Sequence, residues 1–428
     1  MKKLLYYIFF TAFANTLSIK TNAQIKCKIE NYSTEDGLSH DNIRDIIKDR
    51  EGFIWLATWD GINRFDGKNF VTYKAGAGDS SPLGNNRIDL IKEDASGYIW
   101  VKAYDRQIYR FEKSTETFIS IAAILGTNKI EFSEIITAAN GDVWLTTVDK
   151  GAFLAQKTAG NKIKLSHFSS DLPGSFSIAS NRLNFLITDR NNDAWTGSEN
   201  GLDLIAKSSK GCASRRIVQN SSVKCIFPDH QNIWIGTEKG DLICYNTASK
   251  KSSRQRIASA GINAIIKSKN QELLLITTSQ GKLIAFDIPH LKIKSELQVS
   301  QDPLYSIYQD KKGLLWLEPD KHGVFLVNAE TKTIKFFSQQ TDASFLQLDH
   351  SYGVFEDNFD RLWVNLKGGG FGFYSTSEHR VEFFFNRPGS ENQKFSNIVA
   401  SMFFDPSGIL WLSTNDRGLN KIIFQKDV

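Results

Sequence analysis

Apolar residues along this chain come in short runs grouped into sets, and tight-turn signals separate the runs within each set. A set begins with an apolar strand and a turn of the form Asp-x-x-Gly. A second strand follows, with a tryptophan and then a small residue, and after it a third strand. The clearest copies are Asp49-Arg50-Glu51-Gly52-Phe53-Ile54-Trp55, Asp94-Ala95-Ser96-Gly97-Tyr98-Ile99-Trp100, Asp310-Lys311-Lys312-Gly313-Leu314-Leu315-Trp316 and Asp405-Pro406-Ser407-Gly408-Ile409-Leu410-Trp411. Weaker copies centre on Trp144, Trp195, Trp234 and Trp363, and on Leu275, which takes the tryptophan slot. Successive anchors are 45, 44, 51, 39, 41, 41, 47 and 48 residues apart. A period of this size with only strand signals inside it predicts an all-β propeller in which each repeat is one four-stranded blade. Runs such as Ile54-Trp55-Leu56 carry apolar side chains toward both faces, as a sheet sandwiched between two others requires.

Asp at the first turn position and Gly at the fourth fit a type I turn, so the repeated acids read as turn residues before they read as metal ligands or catalytic carboxylates. Nine copies exceed the usual four to eight blades. The preferred division is a seven-bladed propeller over residues 24–341, followed by two blades, 342–428, that start a second and incomplete propeller. An orphan strand at Lys28 to Tyr32 has the character of a fourth strand with no blade of its own, and is expected to close the ring by pairing with its last blade. The rival arrangement is a single ring in which this strand completes the ninth copy, which lacks a fourth strand.

The N-terminus changes the picture of where this happens. Lys2 and Lys3, the apolar stretch Leu4 to Phe13 and Thr21-Asn22-Ala23 read as a signal peptide over residues 1–23. Its apolar core is too short to span a bilayer, and no other run is long enough, so a periplasmic chain without a membrane anchor is expected after cleavage. Removing Lys2, Lys3 and Lys20 with the signal takes the formal charge from +5 to +2. No dense basic patch interleaved with aromatics points to nucleic acid. The four cysteines are too few for a disulfide framework, and Cys225 and Cys244, placed on strands one and three of a sheet, would lie roughly 9 to 10 Å apart, too far to bond.

The residues Asp36-Gly37-Leu38-Ser39-His40-Asp41-Asn42-Ile43, the stretch Asp49 to Arg64 and Gly368-Gly369-Gly370-Phe371 resemble the two-component-regulator propeller repeats of periplasmic sensors in Bacteroidetes hybrid two-component systems. Tyr374 to Lys421 also looks like the middle of those sensors. The resemblance implies a sensor that binds a carbohydrate, often an oligosaccharide, and passes the signal across the inner membrane. Relatives of that kind continue into a second propeller, a β-sandwich, a membrane helix, a histidine kinase and a DNA-binding regulator. Here the expectation is a truncated or split product, or a free binding module whose kinase half is encoded separately, with a homodimer as a candidate assembly.

In such blades the second-to-third-strand loops and the loops between blades share one face. That face collects Trp59, Asp60, Tyr104, Asp105, Arg106, Lys321 and His322 from the first kind, and Arg87 and Arg182 from the second. Aromatic, acidic and guanidinium groups around one concavity suit a sugar, which needs apolar stacking and a few directed hydrogen bonds. Trp59, the one tryptophan out of phase with the repeat, is the leading candidate; its structural alternative is packing on the neighbouring blade's loop. The asparagines at the blade starts have a capping role as their alternative.

No H-E-x-x-H spacing links the seven histidines, the glycines at 368–372 precede no helix, and there is no G-x-S-x-G elbow, so no catalytic residue, metal or cofactor is assigned. A propeller lyase resembling the streptogramin-inactivating enzymes and a protein-docking scaffold are the alternatives to a sugar sensor.

Overall fold

The computed structural model describes residues 27–424 except 76–82, 159–161, 209–210, 271, 321–322, 339–352, 358–359, 366–370, 377 and 385–398. The expected signal peptide, the boundary at 341 and two of the candidate residues, Lys321 and His322, lie outside the described residues. Among those described, the strands form nine antiparallel four-stranded sheets. Eight are consecutive A-B-C-D meanders, from Ile43–Lys48, Ile54–Thr58, Gly61–Phe65 and Phe70–Tyr73 in blade 1 to Gly353–Glu356, Leu362–Asn365, Phe371–Ser375 and Arg380–Phe384 in blade 8.

The ninth blade corrects the seven-plus-two division. Its A, B and C strands are Val399–Phe404, Ile409–Thr414 and Leu419–Phe424, and its fourth is the N-terminal strand Cys27–Tyr32, paired from Cys27 opposite Phe424 to Tyr32 opposite Leu419. The orphan strand therefore closes the ring on blade 9, the arrangement held as the rival. Apolar clusters fill all nine blade junctions. Trp316, Leu326, Leu362 and Tyr374 join blade 7 to blade 8, where the second propeller was expected to begin. Trp363, Leu410 and Ile422 join blade 8 to blade 9, and Trp411 and Leu419 pack on Leu56 and Phe65 of blade 1. The physical reason is that every blade exposes the same kind of apolar face until a neighbour covers it, so nothing in blade 7 marks a stop.

Burial falls from the middle of each blade outward. The B strands Ile54–Thr58, Val143–Thr147 and Ala194–Ser198 are buried throughout, whereas the D strand Ser252–Arg256 is exposed throughout. The turn chemistry holds five of the anchors in phase, whereas among the described residues the indole nitrogens of Trp144, Trp234 and Trp411 are enclosed without a partner. In blade 1 the Asp49 carboxylate accepts from the backbone N–H groups of Glu51 and Phe53 with one oxygen and from Trp55 Nε1, at 2.7 Å, with the other. The same indole-carboxylate bond recurs at Trp100–Asp94, Trp195–Asp189, Trp316–Asp310 and Trp363–Asp357. Six residues separate the partners each time, so the turn acid also satisfies the indole donor inside the sheet. The acids thus hold structure, as the turn reading expected. In blade 6 the indole is replaced by Leu275 and the acid by Ser268, whose hydroxyl still accepts from Leu273 N–H.

Candidate functional site

Eight of the nine A strands carry a register shift after their first residue, at Ile43/Asp45 in blade 1 and Ile88/Leu90 in blade 2, for example. A bulge at this point turns the extra side chain, here Arg44 and Asp89, away from the ladder at the rim of the central channel. On the same face, in six blades the first residue after the B strand is tied to the residue that precedes the A strand of its own blade. Trp59 N–H donates to Asn42 O, Tyr104 N–H to Arg87 O and Val148 N–H to Glu131 O. These three side chains therefore occupy equivalent places on consecutive blades.

The tie brings together three of the predicted residues. The Arg87 guanidinium lies over the Trp59 ring, 4.1 Å from its centroid, and over the Tyr104 ring at 3.8 Å. The His40 ring continues the row, 5.7 Å from Trp59 and tilted by 47°. Trp59 and Tyr104 remain 38% and 56% exposed, so the row forms part of the open surface. Arg87 is half-buried; its Nε is enclosed without an acceptor, and no ion pair or side-chain hydrogen bond engages the guanidinium among the described residues.

The other predicted residues are placed differently. Asp60 is held by Lys74 at 2.9 Å and by Asn86 Nδ2, Arg106 pairs with Glu131 at 2.9 Å, and Asp105 accepts from its own loop at Gln107 N–H. Arg182 takes the place on blade 4 that Arg87 takes on blade 2, is exposed, and is not part of the stack. The asparagines act largely as braces: Asn85 Oδ1 accepts from Arg87 N–H, and Asn181 Oδ1 from Ser169 Oγ and Ser170 N–H.

Sequence reasoning missed Lys102. It stands two residues after Trp100, in the slot filled by the small residues Ala57, Thr146, Gly197, Gly236, Thr277 and Ser413 in six other blades and by Glu318 and Asn365 in blades 7 and 8. A side chain there meets the next blade's A strand: a Cβ on Gly236 would come within 2.5 Å of Ile262. The signal was available as a charged residue in a small-residue slot. Burial pulls the Lys102 ammonium below the usual lysine range, against the opposing attraction of Asp89, and Arg106 and Arg44 add to the lowering. Because the folded state disfavours its charge, Lys102 costs stability at neutral pH, and that cost is relieved as pH rises toward the ordinary lysine range. Lys102→Met is thus expected to raise the melting temperature at pH 7 and to flatten its rise toward pH 10, as differential scanning calorimetry would read; an unchanged profile contradicts the assignment.

Among the described residues no group of three or more His, Cys, Asp or Glu side chains is placed to hold a metal ion, and no helix is long and apolar enough to cross a membrane. Cys225 and Cys244 sit on the A and C strands of blade 5 as free thiols, with the B strand between them, and burial pushes the Cys225 thiol up to about 12.

Known proteins resemble parts of this chain and its fold. Residues 37–60, which run from the blade 1 approach loop to Asp60, match the family described as Two component regulator propeller. The chain carries that repeat at the place where the resemblance was read. A 54-residue stretch is 37% identical to Histidine kinase P4 of Formosa agariphila, covering 13% of this chain and 4% of the relative. The extracellular domain described as that of a hybrid two-component system of B. thetaiotaomicron aligns at 21% identity and a TM-score of 0.39, over 94% of this chain and 55% of that one. The Dos1 propeller aligns at 10% identity and a TM-score of 0.54, over 93% of this chain and 95% of that one, a likeness of fold. The chain thus spans little more than half of the extracellular domain and a small part of the kinase.

Proposed function

We propose that this chain is an extracytoplasmic sensor propeller of a two-component system, working in the periplasm, and that it recognises an oligosaccharide on its loop face. The observation that supports the sensor role is the family match over residues 37–60, a stretch that includes His40 and Trp59 of the row described above. The row itself supports the ligand class. Exposed rings beside a guanidinium offer the flat apolar surface and directed donors that pyranose rings use. In this reading, binding is the input, and a kinase half on another polypeptide or in a longer form of this one carries the output.

The test is thermal-shift screening of the chain from residue 24 against host and plant oligosaccharides, since a ligand that binds only the folded state raises the melting point. Tyr104→Ala is expected to weaken a ligand so found by roughly three- to tenfold, in line with about 0.5–1.5 kcal/mol for a ring contact. A found oligosaccharide with unchanged affinity for both Tyr104→Ala and Trp59→Ala binds elsewhere. A docking reading draws on Val148 and Phe176, which are exposed apolar side chains on the loop side of blade 3. Capture of a defined protein partner that Val148→Asp abolishes, with no response to any glycan, would favour it.

A further inference from the structure

Resting on that reading, the loop face adds a statement about the ligand's charge. Arg87 is a cation whose needs the protein has left open. The Trp59 and Tyr104 rings both lie against its guanidinium, with centroids 4.1 and 3.8 Å away, which restrains its orientation. Nε is enclosed without a partner, while the terminal nitrogens are not enclosed and likewise lack acceptors among the described residues. The nearby acids on blades 1 and 2 are committed elsewhere: Asp60 to Lys74 and Asn86, Asp89 to Arg44 at 3.9 Å, and Asp105 to Gln107 N–H.

The rim around Arg87 is also uneven in a way that orients a ligand. The equivalent position after the B strand is Trp59, Tyr104 and Val148 on blades 1 to 3, but Glu199, Glu238 and Asp320 on blades 4, 5 and 7. An oxyanion approaching the face meets Glu199 and Asp320 and a Glu238 already paired with Lys224 on that side, and an uncompensated guanidinium in the aromatic sector. A guanidinium restrained by two rings, with its terminal nitrogens not enclosed, can offer paired donors to two oxygens of a carboxylate or sulfate.

We propose that the recognised oligosaccharide is anionic, and that its carboxylate or sulfate oxygens accept paired hydrogen bonds from the terminal nitrogens of Arg87 while a sugar ring lies along Tyr104.

Isothermal titration of the chain from residue 24 can test this with matched probes: tetragalacturonate and its methyl ester, and a sulfated carrageenan tetrasaccharide and its desulfated form. The expected result is that one acidic member binds at least tenfold more tightly than its neutral partner, that added salt weakens it, and that Arg87→Lys and Arg87→Met each lower its affinity by about tenfold or more at unchanged melting temperature. Arg87→Lys is decisive because it keeps the charge and loses the paired geometry. Which acid binds distinguishes carboxylate from sulfate. Equal binding of a neutral partner overturns the anionic assignment and leaves the glycan reading standing. Acidic binding that both Arg87 variants retain overturns the role of Arg87 alone. Stabilisation by inorganic sulfate as strong as that by either acidic tetrasaccharide, or no response to any of the four, overturns the proposal, and the thermal-shift screen of neutral oligosaccharides then decides the glycan reading separately.

Discussion

A chain that begins at Ser33 is expected to lose its cooperative unfolding transition and to associate at concentrations where the longer chain is monodisperse. The strand it lacks, Cys27–Tyr32, is the outer strand of blade 9 and pairs with Leu419–Phe424 over six residue pairs. Its removal leaves the C strand of that blade as an open edge, ready to pair with another chain. It also strips side chains from two junctions. Cys27 and Ile29 pack on the cluster of Trp363, Leu410 and Ile422, and the Tyr32 ring lies 4.8 Å from Phe65 of blade 1.

Polar groups tie the same seam. Asn31 Nδ2 donates to Arg417 O at 2.7 Å and to Asn420 Oδ1, and Glu30 sits between Lys28 and Lys421. Gly418, at φ +67°, approaches Tyr32 so closely that a Cβ would come within 2.1 Å of its carbonyl oxygen, so this turn is built around the strand. Losing the ladder and both contacts is expected to cost on the order of 5 kcal/mol. Circular dichroism melts and light scattering would show it, and a synthetic peptide of residues 27–36 added in excess is expected to restore part of the transition by strand addition. An unchanged melt for the shortened chain would refute the seam. Lys28 and Lys421 hold Glu30 down at about 2. Since the folded value lies below the unfolded one, its contribution is present above the ordinary glutamate range and is lost as pH falls toward 2. Surface screening keeps it small, so the seam should survive mild acid.

Asp310→Ala is expected to be strongly destabilising, by about 3 to 4 kcal/mol. The carboxylate accepts from Lys312 N–H at 3.0 Å, Leu314 N–H at 2.9 Å and Trp316 Nε1 at 3.0 Å, and Trp316 is fully buried. Alanine would leave the indole donor enclosed without an acceptor and the turn without its brace. Asp405→Ala should cost less, because Trp411 Nε1 already lacks a partner there and Asp405 instead pairs with Lys48 and caps Ser407 N–H. Urea titration of both variants checks the order, and repeating Asp310→Ala in a Trp316→Phe background isolates the indole share. Equal losses at the two sites would show that the turn alone, and not the indole bond, explains why the anchors keep their phase.

Much of this architecture was written in local pattern. The strand period, the Asp-x-x-Gly turn and the phased tryptophans each act over fewer than ten residues, and a sheet's own turn and alternation obey the same rules wherever it sits. Four-stranded blades, an orphan strand at the N-terminus and a loop face rich in Trp59, Tyr104 and Arg87 followed from them. The size of the ring did not, because each junction uses interchangeable apolar surface and a blade carries no mark of how many neighbours will close the circle. Only the pairing of Tyr32 with Leu419, residues separated by almost the whole chain, settled it at nine.

The site divides in the same way. Which side chains stand on the loop face is a matter of position within a repeat, and could be read. That the Arg87 guanidinium meets the Trp59 ring of blade 1, while Arg106 is taken up by Glu131 at the start of blade 3, depends on distances between blades. So does the half-buried charge of Lys102, whose neighbours Asp89 and Glu134 sit on A strands and Arg44 on a different blade from its own. Contacts across a blade junction are set by how two rigid sheets pack, and no spacing within either sheet encodes them.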